Sequence, residues 1–130
     1  MKIYVAGKFG DKKEIQSVQQ ALIENSHSIT HDWTQYEHTH DETKYDIAEF
    51  AAGDVNGVKS ADTLLIYITD ADYDYKGTNV ELGVALGCGI PVCIIDTVKD
   101  SKFSKNIFTK HGLVSYYENL ESFITVHQVI

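Results

Sequence analysis

A continuous apolar segment, followed by a polar loop and a second apolar stretch, restricts the possible folds of this chain more than any other feature. Thr63–Ile68 reads TLLIYI, without the alternation of a half-exposed strand, which is typical of a strand buried on both faces. The polar loop ends near Gly77 and Thr78, where apolar residues resume at helical spacing. A buried strand that leads into a helix predicts a parallel α/β fold.

Strand and helix patterns alternate along the rest of the chain. The predicted strands are 2–7, 27–33, 63–68, 91–96 and 113–117, and the predicted helices are 11–25, 43–60, 77–86 and 120–130, with one helical turn at 106–110. With 130 residues, 43% of them hydrophobic, the chain is long enough to bury one hydrophobic core. We therefore predict one domain, residues 1–130, with a doubly wound, flavodoxin-like or Rossmann-like fold and a five-stranded, mostly parallel sheet.

The charge of the chain excludes one class of partner. The formal net charge is -8, with 19 acidic and 11 basic residues, whereas sequence-independent binding to nucleic acid requires a basic face. No apolar run approaches the roughly 20 residues that span a bilayer, and no signal-peptide pattern precedes the first strand. We expect a cytoplasmic protein without nucleic-acid or membrane partners. Cys88 and Cys93 lie in or beside apolar segments and are expected to be free thiols.

Glu81 follows the buried strand and lies near the start of the next helix, where open α/β sheets usually bind ligands. The pattern Thr78-x-x-Glu81 also matches a capping box, in which the glutamate would have a structural role. A second carboxylate, Asp54, lies on the apolar face of the preceding helix, four residues from both Phe50 and Val58. Unless the apolar stripe ends there and Asp54 faces solvent, it needs a hydrogen-bonding partner or a ligand.

Three further features admit both a structural and a functional interpretation. The turn between Gly7 and Gly10 carries Lys8 and precedes a helix, so it could bind a small anion such as phosphate or simply present solvated lysines. Trp33 could belong to the core or provide a flat surface for an aromatic ligand. His38 and His40 suggest a metal site, but without a third ligand at suitable spacing we predict no metal and no other cofactor.

Three motifs together resemble the nucleoside 2-deoxyribosyltransferase family and its relatives that hydrolyse deoxynucleoside 5′-monophosphates. They are IYVAG at residues 3–7, GDVNGVKSAD at 53–62 and GTNVELGVAL at 77–86. The resemblance implies that Glu81 is the nucleophile that attacks the anomeric carbon and forms a covalent glycosyl-enzyme. It implies that Asp54 assists the departure of the base and that Tyr4 orients the nucleophile. A second base or water then accepts the deoxyribosyl group.

The resemblance also implies a shared active site in a homodimer or larger homo-oligomer, completed by a neighbouring subunit. The residues expected to bind the deoxynucleoside or deoxynucleotide are Gly7, Lys8, Phe9, Trp33, Asp74, Gly77, Thr78, Ser104 and Asn106. The chain departs from the transferases six positions before Glu81, where Tyr75 replaces a base-reading aspartate and Asp74 precedes it. Lys8 and Ser104 favour a phosphorylated substrate. A non-catalytic nucleotide-binding module, or an N-glycosidase for another nucleotide, remains the alternative.

Overall fold

Five parallel strands form the centre of the computed structural model, which describes residues 1–36 and 47–130. The strands are β1 (Lys2–Ala6), β2 (Ser28–Ile29), β3 (Thr63–Ile68), β4 (Val92–Asp96) and β5 (Val114–Tyr116). Their spatial order is β2-β1-β3-β4-β5, and every described pair of neighbours is parallel. This confirms the predicted doubly wound α/β fold, with a sheet that is wholly parallel rather than mostly parallel.

In the described part of the chain, four α-helices connect or follow the strands. They are α1 (Lys12–Glu24), α2 (Ile47–Lys59), α3 (Lys76–Gly87) and α4 (Leu120–Val126). Short 3-10 helices occupy Phe9–Asp11, Trp33–Gln35, Phe103–Lys105 and Ile107–Lys110. The start of the predicted second helix at residue 43, and the histidines His38 and His40, lie outside the described residues.

The buried strand β3 has the bounds that its apolar run predicts, and it pairs with both β1 and β4. The chain continues from β1 to its outer neighbour β2 and then crosses to β3 on the other side. This reversal of strand order leaves a crevice at the carboxyl ends of β1 and β3, where doubly wound folds bind their ligands. The fold therefore places the first motif and the segment after β3 at the same edge.

The structure differs from the sequence prediction at three element boundaries. The second strand is limited to Ser28–Ile29, and Trp33 lies in a 3-10 turn instead. The last helix ends at Val126, because its final residues no longer have an apolar surface to cover. Helix α3 begins at Lys76 after Tyr75, which has a left-handed backbone with φ 48° and makes no side-chain cap.

The described residues contain no helix with the length and apolar character needed to cross a bilayer. Within residues 1–36 and 47–130, no group of three or more His, Cys, Asp or Glu side chains is arranged to hold a metal ion. Cys88 is exposed and Cys93 is buried, and both are free thiols.

Candidate active site

A cavity of about 690 Å³ opens at the carboxyl ends of β1 and β3. This volume lies within the range of about 300–1,000 Å³ that is usual for small-molecule sites. Its walls are formed by Tyr4, Gly7 and Phe9; by Trp33 and Tyr36; by Phe50, Ala51, Asp54 and Val55; and by residues 72–78, Val80 and Glu81. Nine residues of the sequence-predicted site therefore share one cavity: Tyr4, Gly7, Phe9, Trp33, Asp54, Asp74, Gly77, Thr78 and Glu81.

Tyr4 and Glu81 form the centre of the cavity floor. Tyr4 is fully buried on β1, and its hydroxyl group donates a short hydrogen bond to Glu81 Oε2 across the strand–helix contact. Burial raises the pKa of Glu81 to about 8, although the hydrogen bond from Tyr4 acts in the opposite direction. Burial and the neighbouring carboxyl groups also raise the pKa of Tyr4, so its hydroxyl remains a donor throughout the neutral range.

The position of Glu81 rules out the capping-box interpretation. A capping box requires Thr78 immediately before the helix and Glu81 in its first turn. Thr78 is instead the third residue of α3 and Glu81 the sixth. The carboxylate faces Tyr4 and the cavity.

Asp54 approaches the same cavity from α2. Its side chain is about 33% exposed, and it faces the hydroxyl groups of Tyr4 and Tyr36 rather than bulk solvent alone. Burial raises the pKa of Asp54 above its usual value, while His31 acts in the opposite direction. The Asp54 charge in turn contributes to the raised pKa of Glu81. The two carboxyl groups are therefore electrostatically coupled.

Aromatic rings form the sides of the cavity. Trp33 is 6% exposed and donates from Nε1 to the Val5 carbonyl at 2.7 Å, while its ring stacks on Phe9 with centroids 5.9 Å apart. Trp33 is thus both a core residue and part of the cavity wall. Tyr36 stacks on Phe50 with centroids 4.1 Å apart. These flat surfaces suit a planar heterocyclic base.

Two of the basic residues near the cavity already have acidic partners. Lys8 does not line the cavity; its Nζ atom donates to Asp70 at 3.0 Å and lies 4.9 Å above the Tyr73 ring. Lys102 pairs with Asp74 at 2.5 Å. The lysine at the glycine turn is therefore held beside the loop that follows β3.

Ser104 and Asn106 are not brought to the cavity within one chain. Ser104 Oγ donates to Asp96 Oδ2 at 2.7 Å, at the edge of a separate cavity of about 530 Å³. The Asn106 side-chain amide donates to Asn79 Oδ1 of α3 at 2.8 Å. A role for either residue in substrate binding requires a second subunit.

Sequence reasoning missed several residues of the site. Tyr36 and Tyr73 lie in segments without periodicity, so only their aromatic character could have drawn attention to them. Phe50 was assigned to the apolar face of α2, and it does lie there, but this face also lines the cavity. Tyr75 is buried, and its hydroxyl accepts hydrogen bonds from the backbone N–H groups of Thr69 and Asp70 at 3.0 and 3.1 Å. At this position Tyr75 therefore supports the loop.

Comparisons with known proteins identify the family to which the chain belongs. The family model described as nucleoside 2-deoxyribosyltransferase matches residues 3–117. The structure is similar to that of the CMP N-glycosidase BcmB from Clostridium botulinum, with a TM-score of 0.65 and 15% sequence identity over 97% of each chain, which shows a shared fold. No protein with a curated description matches the chain. Because the family match covers most of the sequence and all three motifs, the chain belongs to the nucleoside 2-deoxyribosyltransferase family.

Proposed function

We propose that the protein cleaves the N-glycosidic bond of a 2′-deoxynucleoside or its 5′-monophosphate. One observation carries the proposal: the carboxyl groups of Glu81 and Asp54, from two different helices, meet Tyr4 in one aromatic-walled cavity. Enzymes that cleave a glycosidic bond through a covalent intermediate usually have two carboxyl groups beside an oxocarbenium-like centre. Family membership supports an N-glycoside as the substrate class.

The reaction proceeds in two steps. The Glu81 carboxylate attacks C1′ of the sugar, and a glycosyl ester forms as the bond from C1′ to the base nitrogen breaks. The electron pair of that bond remains on the base, which takes a proton from Asp54. A second base, or water, then attacks C1′, loses a proton to Asp54 and releases the Glu81 carboxylate.

This scheme requires one proton on the carboxyl pair. With two protons there is no nucleophile, and with none there is no acid for the departing base. Burial raises the pKa values of both Glu81 and Asp54, so the singly protonated pair extends into the neutral range. The two groups titrate as a coupled pair, in which the pKa of Glu81 is raised to about 8.

The charges around the cavity favour a substrate without a 5′-phosphate. Among the described lining residues, the singly protonated Glu81–Asp54 pair carries one negative charge, Asp72 and Asp74 carry carboxyl groups of which Asp74 is paired with Lys102, and an ammonium group belongs to Lys76. A phosphate dianion would meet this acidic lining, and like charges repel at short range. We therefore propose that the unphosphorylated deoxynucleoside is the preferred substrate, although the basic turn in the sequence favoured a phosphorylated one.

We further propose that the enzyme is a homodimer with a shared site. Val80 lines the cavity and is 61% exposed, and the Asn106–Asn79 hydrogen bond joins the segment that carries the exposed residues Ile107 and Phe108 to α3. A second copy of the chain would bury these exposed apolar side chains. Light scattering is expected to show a dimer. Full activity of a monomer would contradict the shared site.

Chromatographic detection of free base tests the proposed function. The protein is incubated with the four deoxynucleosides and with their 5′-monophosphates, with and without a second base. Base release by the wild-type protein, and its loss in Glu81→Gln, is the expected result. Appearance of a new nucleoside with the second base identifies a transferase, and release without it identifies a hydrolase. Binding of nucleosides without any release would favour the non-catalytic module.

A further inference from the structure

One oxygen atom of Asp54 is buried without a hydrogen-bond partner among the described residues. This atom, Oδ1, lies 3.4 Å from Nε2 of His31, a residue that follows β2 and does not line the cavity. A buried carboxylate oxygen without a donor is costly, and a modest rotation of the imidazole would supply one. We propose that His31 is a positioning residue that donates to Asp54 when the latter has given its proton to the departing base. This inference rests on the proposed function.

Helix α2 is built to hold His31 at this place. Gly53 and Gly57 are four residues apart, so they lie on the same face of the helix, beside Asp54. A Cβ atom at Gly57 would lie 2.7 Å from the His31 Cβ and 2.8 Å from the Tyr4 ring. At Gly53 a Cβ atom would lie 3.0 Å from His31 Cε1. Because both positions lack side chains, the imidazole can approach Asp54 closely.

A second contact keeps the imidazole ring close to Asp54, and it uses the same Nε2 atom that would turn towards Asp54. The hydroxyl group of Tyr36 forms a short hydrogen bond with His31 Nε2, and the Tyr36 ring is itself stacked on Phe50 of α2. In addition, the hydroxyl group of Thr30 donates to the Gly57 carbonyl at 2.7 Å, which ties the segment before His31 to the helix. The His31 ring is thus held beside Asp54 Oδ1.

The chemical consequence concerns the lifetime of the intermediate. After Asp54 protonates the leaving base, its carboxylate is buried beside Tyr4, Tyr36, His31 and Glu81, which are the described titratable groups facing it. Of these groups, only His31 can carry a positive charge, and it acts to lower the pKa of Asp54, which makes Asp54 a stronger acid. The proton returns to Asp54 when a base or water attacks C1′, so no net proton is consumed.

Kinetics of His31 variants test this role. In His31→Ala we expect a loss of about tenfold in kcat, an unchanged KM, and an acidic limb of the pH profile that moves up by about one pH unit. His31→Gln keeps an N–H donor without the charge. It should recover part of kcat, but the acidic limb of its pH profile should stay at the higher pH seen in His31→Ala. Tyr36→Phe should give a smaller loss, and His111→Gln, at an exposed site, should have no effect.

The coupling can also be measured without turnover. The side-chain carboxyl signal of Asp54 is followed by NMR as a function of pH in the wild-type protein and in His31→Gln. A higher pKa of Asp54 in the variant is expected, whereas an unchanged pKa would overturn the inference even if the enzyme is active. If no substrate releases base, the proposed function fails, and the NMR titration still decides whether His31 acts on Asp54. A loss of kcat with no movement of the acidic limb would also refute the role.

Discussion

Replacing Glu81 with glutamine should remove activity and, at alkaline pH, stabilise the protein. The pKa of Glu81 is about 8 in the folded protein, compared with 4.5 for an unperturbed glutamate. The folded state therefore binds a proton more tightly than the unfolded chain. Stability from this group is fully present below pH 4.5, falls as the pH rises towards 8, and is lost above it.

The size of the effect follows from this difference in pKa. At about 1.4 kcal/mol per pH unit, the difference between 4.5 and about 8 sets an upper limit of about 5 kcal/mol. Because Glu81 retains some access to solvent through the cavity, we expect roughly half of this, about 2 kcal/mol. Glutamine has nearly the same shape, stays neutral at all pH values, and can still accept the hydrogen bond from Tyr4.

The assay is urea unfolding at pH 6 and pH 9, at one fixed protein concentration. Between these values the wild-type protein should lose about 1 kcal/mol more than Glu81→Gln in its free energy of unfolding, because part of the effect is already lost between pH 4.5 and pH 6. Glu121→Gln, which removes an exposed carboxylate from the first turn of α4, provides the matched control and should follow the wild type. Parallel curves for the wild type and Glu81→Gln would refute the raised pKa, and with it the one-proton scheme.

The remaining predictions concern the reaction. The pH profile of wild-type activity should be bell-shaped and fall above about pH 8. The weaker activity of Asp54→Asn should instead rise with pH, because Glu81 is then the only member of the carboxyl pair that titrates. Tyr4→Phe should lower kcat by about 10- to 100-fold, since a hydrogen bond to a charged group contributes about 1.5–3 kcal/mol; an unchanged kcat would remove Tyr4 from the mechanism. The kcat/KM ratio should favour deoxynucleosides over their 5′-monophosphates by about tenfold at low salt, and Asp72→Asn should reduce this preference. A preference for monophosphates would contradict the charge argument.

The sequence by itself determined the α/β class, the parallel sheet and the helices that carry the two carboxyl groups. These features depend on patterns within single elements: the apolar run at Thr63–Ile68 specifies a buried strand, and helical spacing places Asp54 on the apolar face of α2. Glu81 could be placed near the carboxyl end of β3 for the same reason. Local hydrophobic patterns identify which face of an element is buried, but they carry no information on what packs against it.

Only the tertiary structure decided how the site is assembled. The Tyr4–Glu81 hydrogen bond joins residues 77 positions apart, and the approach of His31 to Asp54 depends on the space left by Gly57. The structure also excluded the capping box at Thr78, because Tyr75 starts the helix earlier through its left-handed backbone. Such contacts depend on how packed elements are rotated and spaced relative to one another. Close packing of the whole core sets these relations, and the spacing of residues along the chain does not reveal them.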